Sequence, residues 1–215
     1  DAYDVVDLAQ GGKSRTWNHF VHTASRKDAD MLLFCDADIV LPERDVLRGL
    51  VTFLNDRPAV MAASTRPVKD IVYSPENLSL SDRLIAAAGG TLDDWRTNIC
   101  GQLYAARAAT VRKFHLPVGL PVEDGFVRAM IATDVFSAKG DPTKIDGDPA
   151  LFHVYASERS IVALVRHQVR IVIGGAINRL IYERLTQADD KQALLQSAAD
   201  DPDWLTGVVR DELPT

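Results

Sequence analysis

The sequence predicts an α/β fold, with a mostly parallel sheet flanked by helices, from three observations. Short apolar segments with the length of buried strands alternate with segments of helical periodicity. The apolar run Met31–Cys35 ends abruptly in Asp36-Ala37-Asp38, as buried strands of such folds end at the sheet edge that binds ligands. The chain, at 215 residues with 47% hydrophobic and 25% charged residues, is long enough for one sizeable core.

The first half of the chain alternates strands and helices regularly. Three segments are predicted strands: Tyr3–Leu8, Met31–Cys35 and Ala59–Thr65. A helix is predicted from Ser14, as its cap, to about Arg26, and another over residues 45–55, where the apolar residues recur on one face.

The second half continues the alternation less regularly. Strands are predicted over residues 99–106 and 150–155, and residues 139–149 are predicted as a loop because Asp, Gly, Pro and Lys dominate them. Helices are predicted around Ser81–Ala88, over Glu123–Thr133, and from Ser157 to about Leu185. The tail after Gln187 is acidic and less regular. We therefore expect a core over residues 1–156 and a C-terminal helical extension over residues 157–215.

Composition excludes several classes of protein. The formal charge of -6 and the lack of a Lys/Arg run argue against general nucleic-acid binding. Cys35 and Cys100 lie in apolar contexts without ligand spacing, which argues against a disulfide framework or a zinc site and favours a reducing compartment. No signal peptide and no uninterrupted apolar stretch of roughly 18 residues is present, so we expect a cytoplasmic chain that does not span a membrane.

Asp36 and Asp38 form the first candidate site. Side chains two residues apart on an extended segment point the same way, so the two carboxylates can share a hard cation. The alternative is a strand end followed by a turn, where Asp is common. The pattern alone leaves both interpretations open.

Two further motifs carry candidate chemistry. Gly12-Lys13 combines a turn, a lysine and a helix N-terminus, which is either an anion site or a turn with a solvated lysine. Glu123-Asp124 lies in the first turn of a predicted helix, where the helix dipole keeps a carboxylate ionised. This pair either caps the helix or supplies a general base close to an acceptor hydroxyl.

Four motifs, in the order and approximate spacing of the family, resemble the inverting family 2 glycosyltransferases: Gly12-Lys13 with Asn18, Asp36-Ala37-Asp38, Gly101 with Arg107, and Glu123-Asp124. The resemblance runs from about Val5 to about Arg170. It implies a Rossmann-type GT-A fold, in which one α/β domain binds a nucleotide-sugar donor, with UDP or GDP, and uses Mn²⁺ or Mg²⁺.

The resemblance also implies roles for the acidic residues. Asp38 would ligate the metal, and Asp36 would assist it or contact the nucleotide or sugar. Asp124 would take the proton from the acceptor hydroxyl as that hydroxyl attacks the anomeric carbon, which inverts the anomeric configuration. Glu123 would orient the site.

The remaining site residues follow from the same resemblance. Gly101 and Gln102 would lie near the donor sugar and the acceptor, and Lys13 and Asn18 would support the nucleotide side or the fold. His153 is a candidate third metal ligand, and the alternative is a histidine satisfied by hydrogen bonds on a half-buried strand.

The sequence departs from the family pattern in three respects, one of which is the expected absence of transmembrane helices beside the domain. The family opens with a strand and helix that hold the nucleobase, and this chain is expected to begin after them. Processive members carry Gln-x-x-Arg-Trp after the acceptor site, where this chain has His167–Ile171 and keeps only the arginine, Arg170. Arg170 is therefore a candidate acceptor-binding residue in a single-addition enzyme. We expect a glycan or lipid-linked acceptor, in bacterial-type surface glycan synthesis.

The helix predicted over residues 157–185 is basic and apolar, with five arginines against two glutamates. A basic amphipathic helix can lie on an anionic membrane surface, here at the inner face of the membrane. Packing on the domain, or on a second copy in a homodimer, is the alternative, and the sequence leaves both open.

Two rival functions belong to other classes. Residues 36–40 also fit the Asp-x-Asp-x-[Thr/Val] motif of haloacid dehalogenase-like phosphohydrolases, with Asp36 as nucleophile and Asp38 as acid/base. Ser64 or Thr65 and Lys139 would complete that site. The third possibility is a catalytically idle GT-A module that binds a sugar nucleotide.

Overall fold

The computed structural model of the chain describes residues 3–75 and 94–212. The described strands are β1 (Met31–Cys35), β2 (Ile39–Val40), β3 (Ala62–Ser64), β4 (Arg66–Lys69), β5 (Leu103–Arg107), β6 (Ile145–Asp146) and β7 (Phe152–Tyr155). The described α-helices are α1 (Lys13–His19), α2 (Val46–Asp56), α3 (Asp70–Tyr73), α4 (Ala108–Val111), α5 (Glu123–Thr133), α6 (Ile161–Gln187), α7 (Lys191–Asp200) and α8 (Trp204–Glu212). The helix predicted around Ser81–Ala88 lies outside the described residues.

The strands form two sheets flanked by helices, which confirms the α/β class. The larger sheet has the order β1-β5-β3-β6, and the smaller has the order β2-β7-β4. Pairing is mixed rather than mostly parallel: β5 runs antiparallel to β1 and β3, whereas β6 runs parallel to β3. The reason is where the chain enters β5. Leu103 begins β5 beside Cys35, at the edge where β1 ends, so β5 has to run in the opposite direction.

Two predictions are wrong, one of a strand and one of a loop, because a segment forms a strand only where a partner strand pairs with it. Residues 3–8 form no strand and are mostly exposed, and no described strand lies beside them to satisfy their backbone groups. Ile145–Asp146 does form a strand, although residues 139–149 were predicted as a loop. It is only two residues long, and it forms because β3 pairs with it.

The helices agree better with the sequence. α5 has the predicted bounds, and α1 continues through a π-helix over Phe20–Ala24, close to the predicted end. Gly12 rather than Ser14 is the N-terminal cap of α1, and Ser14 is buried in the first turn. The tail is more regular than predicted, since α7 and α8 occupy most of it.

The main hydrophobic core includes residues of the C-terminal helices. Phe126 of α5 belongs to the same buried cluster as Ile181 and Leu185 of α6 and Leu195 of α7. Each fully buried side chain of this size contributes about 1.5–3 kcal/mol. The segment predicted as an extension over residues 157–215 therefore shares its core with the rest of the chain.

The first half of α6 differs from its second half. The exposed large apolar residues of α6 all lie in the first half: Ile161, Val162, Val165, Val169, Ile171, Val172 and Ile173. In the part of the chain that the structure describes, α6 is the one helix long and apolar enough to cross a membrane, by length and composition only. One such helix does not by itself show a membrane contact, so membrane contact through residues 157–185 stays a prediction.

An aromatic cluster connects α1 to the larger sheet. The Trp17 ring stacks between Phe34 and Phe114, with ring centroids 5.7 and 5.3 Å away. The Trp17 Nε1–H donates a hydrogen bond of 2.7 Å to the Tyr104 hydroxyl. Phe34 lies on β1 and Tyr104 on β5, so this cluster fixes the start of α1, and with it Lys13, at the edge where β1 ends.

Candidate active site

A cleft of about 790 Å³ opens at the edge where β1 ends and β5 begins. It brings together most of the predicted site residues, which come from distant parts of the chain. Those that line it are Lys13, Asp36, Asp38, Gly101, Gln102, Glu123, Asp124 and Arg170. Asn18 and His153 are not among the residues that line the cleft.

Lys13 lies at the centre of the charged groups. Its Nζ is 3.0 Å from Asp36 Oδ2 and 2.9 Å from Glu123 Oε1, and it donates a hydrogen bond of 3.1 Å to the Gly101 carbonyl. Burial opposes the charge on Lys13, but Glu123 and Asp36 outweigh it, so its pKa lies above the ordinary value. Lys13 is predicted to support the nucleotide side, and it also contacts Glu123, the neighbour of the candidate base Asp124.

Asp36 is half-buried at the end of β1, and Asp38, two residues later, is exposed. The Asp36 backbone N–H donates a hydrogen bond of 2.8 Å to the Gln102 carbonyl, which extends the pairing of β1 with β5 into the cleft. The Asp38 side chain is exposed. Within residues 3–75 and 94–212, no three His, Cys, Asp or Glu residues group as a metal cage. Two carboxylates suit Mg²⁺ or Mn²⁺ when substrate phosphates supply the other oxygens.

Asp124 occupies a different environment on the opposite side of Lys13. Burial raises the pKa of its carboxyl group, and Glu123 raises it further. The Gly125 N–H, which donates a hydrogen bond of 2.7 Å to Asp124 Oδ1, opposes this shift, as do the charges of Lys13 and Arg170. A carboxylate with a raised pKa is a stronger proton acceptor, which is what a general base requires.

Gly101 lies where the two sides of the site meet. A Cβ atom at this position would lie 3.1 Å from the Asp124 Cβ and 3.6 Å from Lys13 Nζ. The first distance is tighter than ordinary van der Waals contact, so a side chain here would displace Asp124. The glycine therefore permits the close approach of β5 and α5.

His153 is surrounded by partners other than a metal. It is fully buried, with Nδ1 2.7 Å from Thr65 Oγ1 and Nε2 3.0 Å from Gln102 Oε1. Burial lowers its pKa to about 4, so the ring is neutral. Both ring nitrogens are engaged, which favours the alternative of a satisfied histidine over a third metal ligand. Through its contact with Gln102, His153 helps to hold a residue that lines the cleft.

Asn18 supports the fold rather than the cleft. Its Nδ2 donates a hydrogen bond of 2.8 Å to the Leu116 carbonyl, and its Oδ1 accepts one of 2.8 Å from the Leu116 N–H. These two bonds tie α1 to the loop before α5. Of the two roles open to Asn18, the structure favours the structural one.

The cleft is also lined by residues that the sequence did not single out, among them Trp95, Arg128 and Tyr155. The segment that carries Trp95 is held by an ion pair of 3.0 Å between Arg96 and Asp146 and by a hydrogen bond of 2.8 Å from Arg128 Nε to the Thr97 carbonyl. Periodicity carries no signal for such a loop, and a tryptophan outside any predicted strand or helix was the one available hint.

The phosphohydrolase alternative finds little support in this arrangement. β5 separates β1, which Asp36 directly follows, from β3, which carries Ser64. Ser64 Oγ accepts a hydrogen bond from the Cys100 N–H, and the buried Thr65 hydroxyl donates one to the Leu103 carbonyl. Lys139 is not among the residues that line the cleft. The hydroxyl and the lysine of that motif are thus not gathered around Asp36.

No protein-family model and no curated protein matches the chain. Among solved structures, it is similar to the mannosyltransferase PcManGT from Pyrobaculum calidifontis, in complex with GDP-Man and Mn²⁺, at 17% identity and a TM-score of 0.48, over 94% of this chain and 53% of that chain. It is also similar to a mycobacterial protein, at 17% identity and a TM-score of 0.41, over 74% of this chain and 48% of that chain. The chain spans about half the length of these structures. Because both TM-scores are below 0.5, the function has to be inferred from the chain's own residues.

Proposed function

We propose that this chain is the catalytic part of an inverting glycosyltransferase of the family 2 type. It would move a sugar from a nucleoside diphosphate to a hydroxyl acceptor with the help of a divalent cation. The observation that carries the proposal is that one cleft is lined by Lys13, Asp36, Asp38 and Asp124, although these residues come from three separate motifs along the chain. This set combines groups suited to a diphosphate with a half-buried proton acceptor, Asp124.

The donor would bind on the side of Lys13 and the aspartate pair. Mg²⁺ or Mn²⁺ held by Asp38, with Asp36 beside it, would offset charge on the departing nucleoside diphosphate. Lys13, at the start of α1, adds a second positive group and a helix N-terminus, both of which favour phosphate. UDP and GDP donors both fit this chemistry.

The acceptor would bind on the side of Asp124. The hydroxyl oxygen of the acceptor would form a bond to the anomeric carbon, while the hydroxyl proton passes to the Asp124 carboxylate. The bond from the anomeric carbon to the diphosphate oxygen breaks, and its electron pair leaves with the nucleoside diphosphate. Attack from the opposite face inverts the configuration. Glu123, held by Lys13, would orient the site, and Gln102 and Arg170 would contact the acceptor.

The biological setting is part of the proposal. The enzyme would add single sugars to a glycan or a lipid-linked acceptor, at the cytoplasmic face of the membrane. The exposed apolar residues of α6 lie on the same helix as Arg170, which suits contact with a lipid surface or a homodimer. Co-sedimentation with anionic liposomes, before and after replacement of Val165, Val169 and Val172 by serine, tests the membrane contact; equal binding would exclude it.

The central experiment compares binding with turnover. Isothermal titration of UDP and GDP, each with and without Mn²⁺, should show cation-dependent binding. A panel of nucleotide sugars should then release nucleoside diphosphate, and more of it when an acceptor is supplied. Binding without release from any donor would favour the non-catalytic module. Cleavage of simple phosphate monoesters without a nucleoside would favour the phosphohydrolase.

A further inference from the structure

One ridge of side chains on α6 faces the turn that carries Glu123 and Asp124. Its members are spaced four residues apart, so they stand above one another on a single face of the helix. They are Arg170, Gly174, Asn178 and Tyr182. Every member of the ridge acts on residues 122–125, by charge, by close packing or by a hydrogen bond.

The contacts hold the turn from both sides. Asn178 Nδ2 donates a hydrogen bond of 3.0 Å to the Val122 carbonyl, immediately before Glu123. The Tyr182 hydroxyl donates one of 3.2 Å to the Gly125 carbonyl, immediately after Asp124. The backbone on either side of the candidate base is therefore tied to the same helix.

Gly174 allows the helix to come this close. A Cβ atom there would lie 2.9 Å from the Val122 Cβ and 3.3 Å from the Val122 backbone nitrogen, and it would overlap the rest of the Val122 side chain. Arg170, one turn earlier, lines the cleft and acts on the Asp124 carboxylate through its charge. The ridge thus runs from the core, through the turn, into the cleft.

Asn178 is a costly choice for stability alone. The residue is 4% exposed, and within the described residues its Oδ1 is buried without a hydrogen-bond partner. A buried polar atom without a partner destabilises the folded state, and leucine of similar size would avoid that penalty. The donor end of the amide, on Val122, is what distinguishes asparagine from leucine at this position.

We propose that this ridge, through Asn178 and Tyr182, positions Asp124 for catalysis, so that α6 is a working part of the active site. The role of Asp124 in this inference rests on the proposed function. The position of the turn itself does not, because it can be measured without any reaction.

The first test compares Asn178→Leu with Arg179→Leu in the full chain. Arg179 is the exposed neighbour of Asn178 on the same helix, so its replacement is a matched control. For Asn178→Leu we expect kcat to fall by roughly 10–100-fold, because displacement of a reacting group by about 1 Å can cost that much. The donor dissociation constant should change by less than about twofold, and Tm should stay equal or rise. The control should keep kcat and donor binding. Tyr182→Phe, which removes only the hydroxyl, should give a smaller loss of kcat of the same kind.

The second test measures amide hydrogen exchange over residues 122–126. In Asn178→Leu, exchange over these residues should become at least about tenfold faster, because the turn can then open without breaking a hydrogen bond from residue 178. Exchange in β1 and β5 should stay unchanged. Unchanged exchange and unchanged kcat would overturn the inference. So would a loss of kcat that merely follows a loss of Tm. If the wild-type chain transfers no sugar, the proposed function fails, while the exchange experiment still decides whether the ridge holds the turn.

Discussion

The two sides of the cleft hold their carboxylates in opposite ways. On the proposed donor side, the side chains of Lys13 and Asp36 are 46% and 32% exposed, and Asp38 is exposed. On the proposed acceptor side, burial raises the pKa of Asp124, and α6 packs behind the turn that carries it. An exposed ion pair contributes only about 0–1 kcal/mol, so a cation or a phosphate can replace its partners at little cost. Exposure suits groups that exchange ligands, and burial suits a group that exchanges a proton.

The largest effect should come from removing the proposed proton acceptor, Asp124. Asp124→Asn keeps the size of the side chain but cannot accept the proton, so transfer should fall by about 10²–10⁴-fold. Cation-dependent nucleotide binding should be retained, since the donor side is intact. Initial rates and titration calorimetry on the same preparation measure both quantities.

Asp134→Asn is the control for that variant. Asp134 lies at the other end of α5 in a left-handed conformation that asparagine tolerates, so activity should be kept. Retained turnover in Asp124→Asn would remove Asp124 as the base. Loss of nucleotide binding would show that the two sides are not separable.

Asp38→Asn should produce the converse result. Binding of nucleoside diphosphate in the presence of Mn²⁺ should weaken by at least about 10–100-fold. Removal of a group that only hydrogen-bonds to a metal ligand already causes a loss of that size. Binding without the cation should change little. Asp45→Asn, an exposed aspartate outside the cleft, is the control. Equal Mn²⁺ dependence in wild type and Asp38→Asn would exclude Asp38 as a ligand.

Gly101→Ala should affect both sides at once, because the new methyl group would meet Asp124 and approach Lys13. We expect kcat to fall roughly tenfold, from a displacement of a few tenths of an ångström, with a smaller loss of donor affinity. Gly11→Ala adds a methyl group where nothing lies within 4 Å and should be silent. A Gly101→Ala enzyme with wild-type kinetics would show that the two sides are not in close contact during the reaction.

The smallest effect concerns pH and stability. Burial raises the pKa of Asp124, so transfer should fall as the pH drops through that raised value. For stability the sign is opposite: the contribution of this group is fully present below the unfolded pKa and is lost as the pH rises through the folded one. Asp124→Asn should therefore be more stable than wild type at neutral pH, with Tm higher by about 2–4 °C for each kcal/mol relieved. Thermal unfolding at several pH values tests this, and a lower Tm at neutral pH would contradict it.

Local signals in the sequence predicted the elements that depend on local chemistry. β1 and α5 have the predicted bounds, because one is a continuous apolar run and the other begins with acidic residues after a proline-containing turn. Tyr3–Leu8 has strand composition but no partner strand within the described residues, and Ile145–Asp146 has a partner without strand composition. Pairing between distant segments decided both, and spacing along the chain does not contain it.

The site divides in the same way. The resemblance placed Asp38 and Asp124 on one site, and they do line one cleft. Nothing in the sequence connects Lys13 with Glu123, or Asn178 with Val122, because these contacts depend on how helices cross. The partners of His153, Thr65 and Gln102, likewise come from other strands, so its neighbours along the chain gave no indication that both ring nitrogens are occupied.

The three tryptophans occupy unequal places. Trp17 and Trp204 pack in or against the hydrophobic core, whereas Trp95 lines the cleft. A ligand that enters the cleft would therefore change the surroundings of one indole and leave the other two as they were. The intrinsic fluorescence of the unlabelled protein becomes a reporter of cleft occupancy, and in Trp95→Phe the remaining emission should no longer respond to nucleotide.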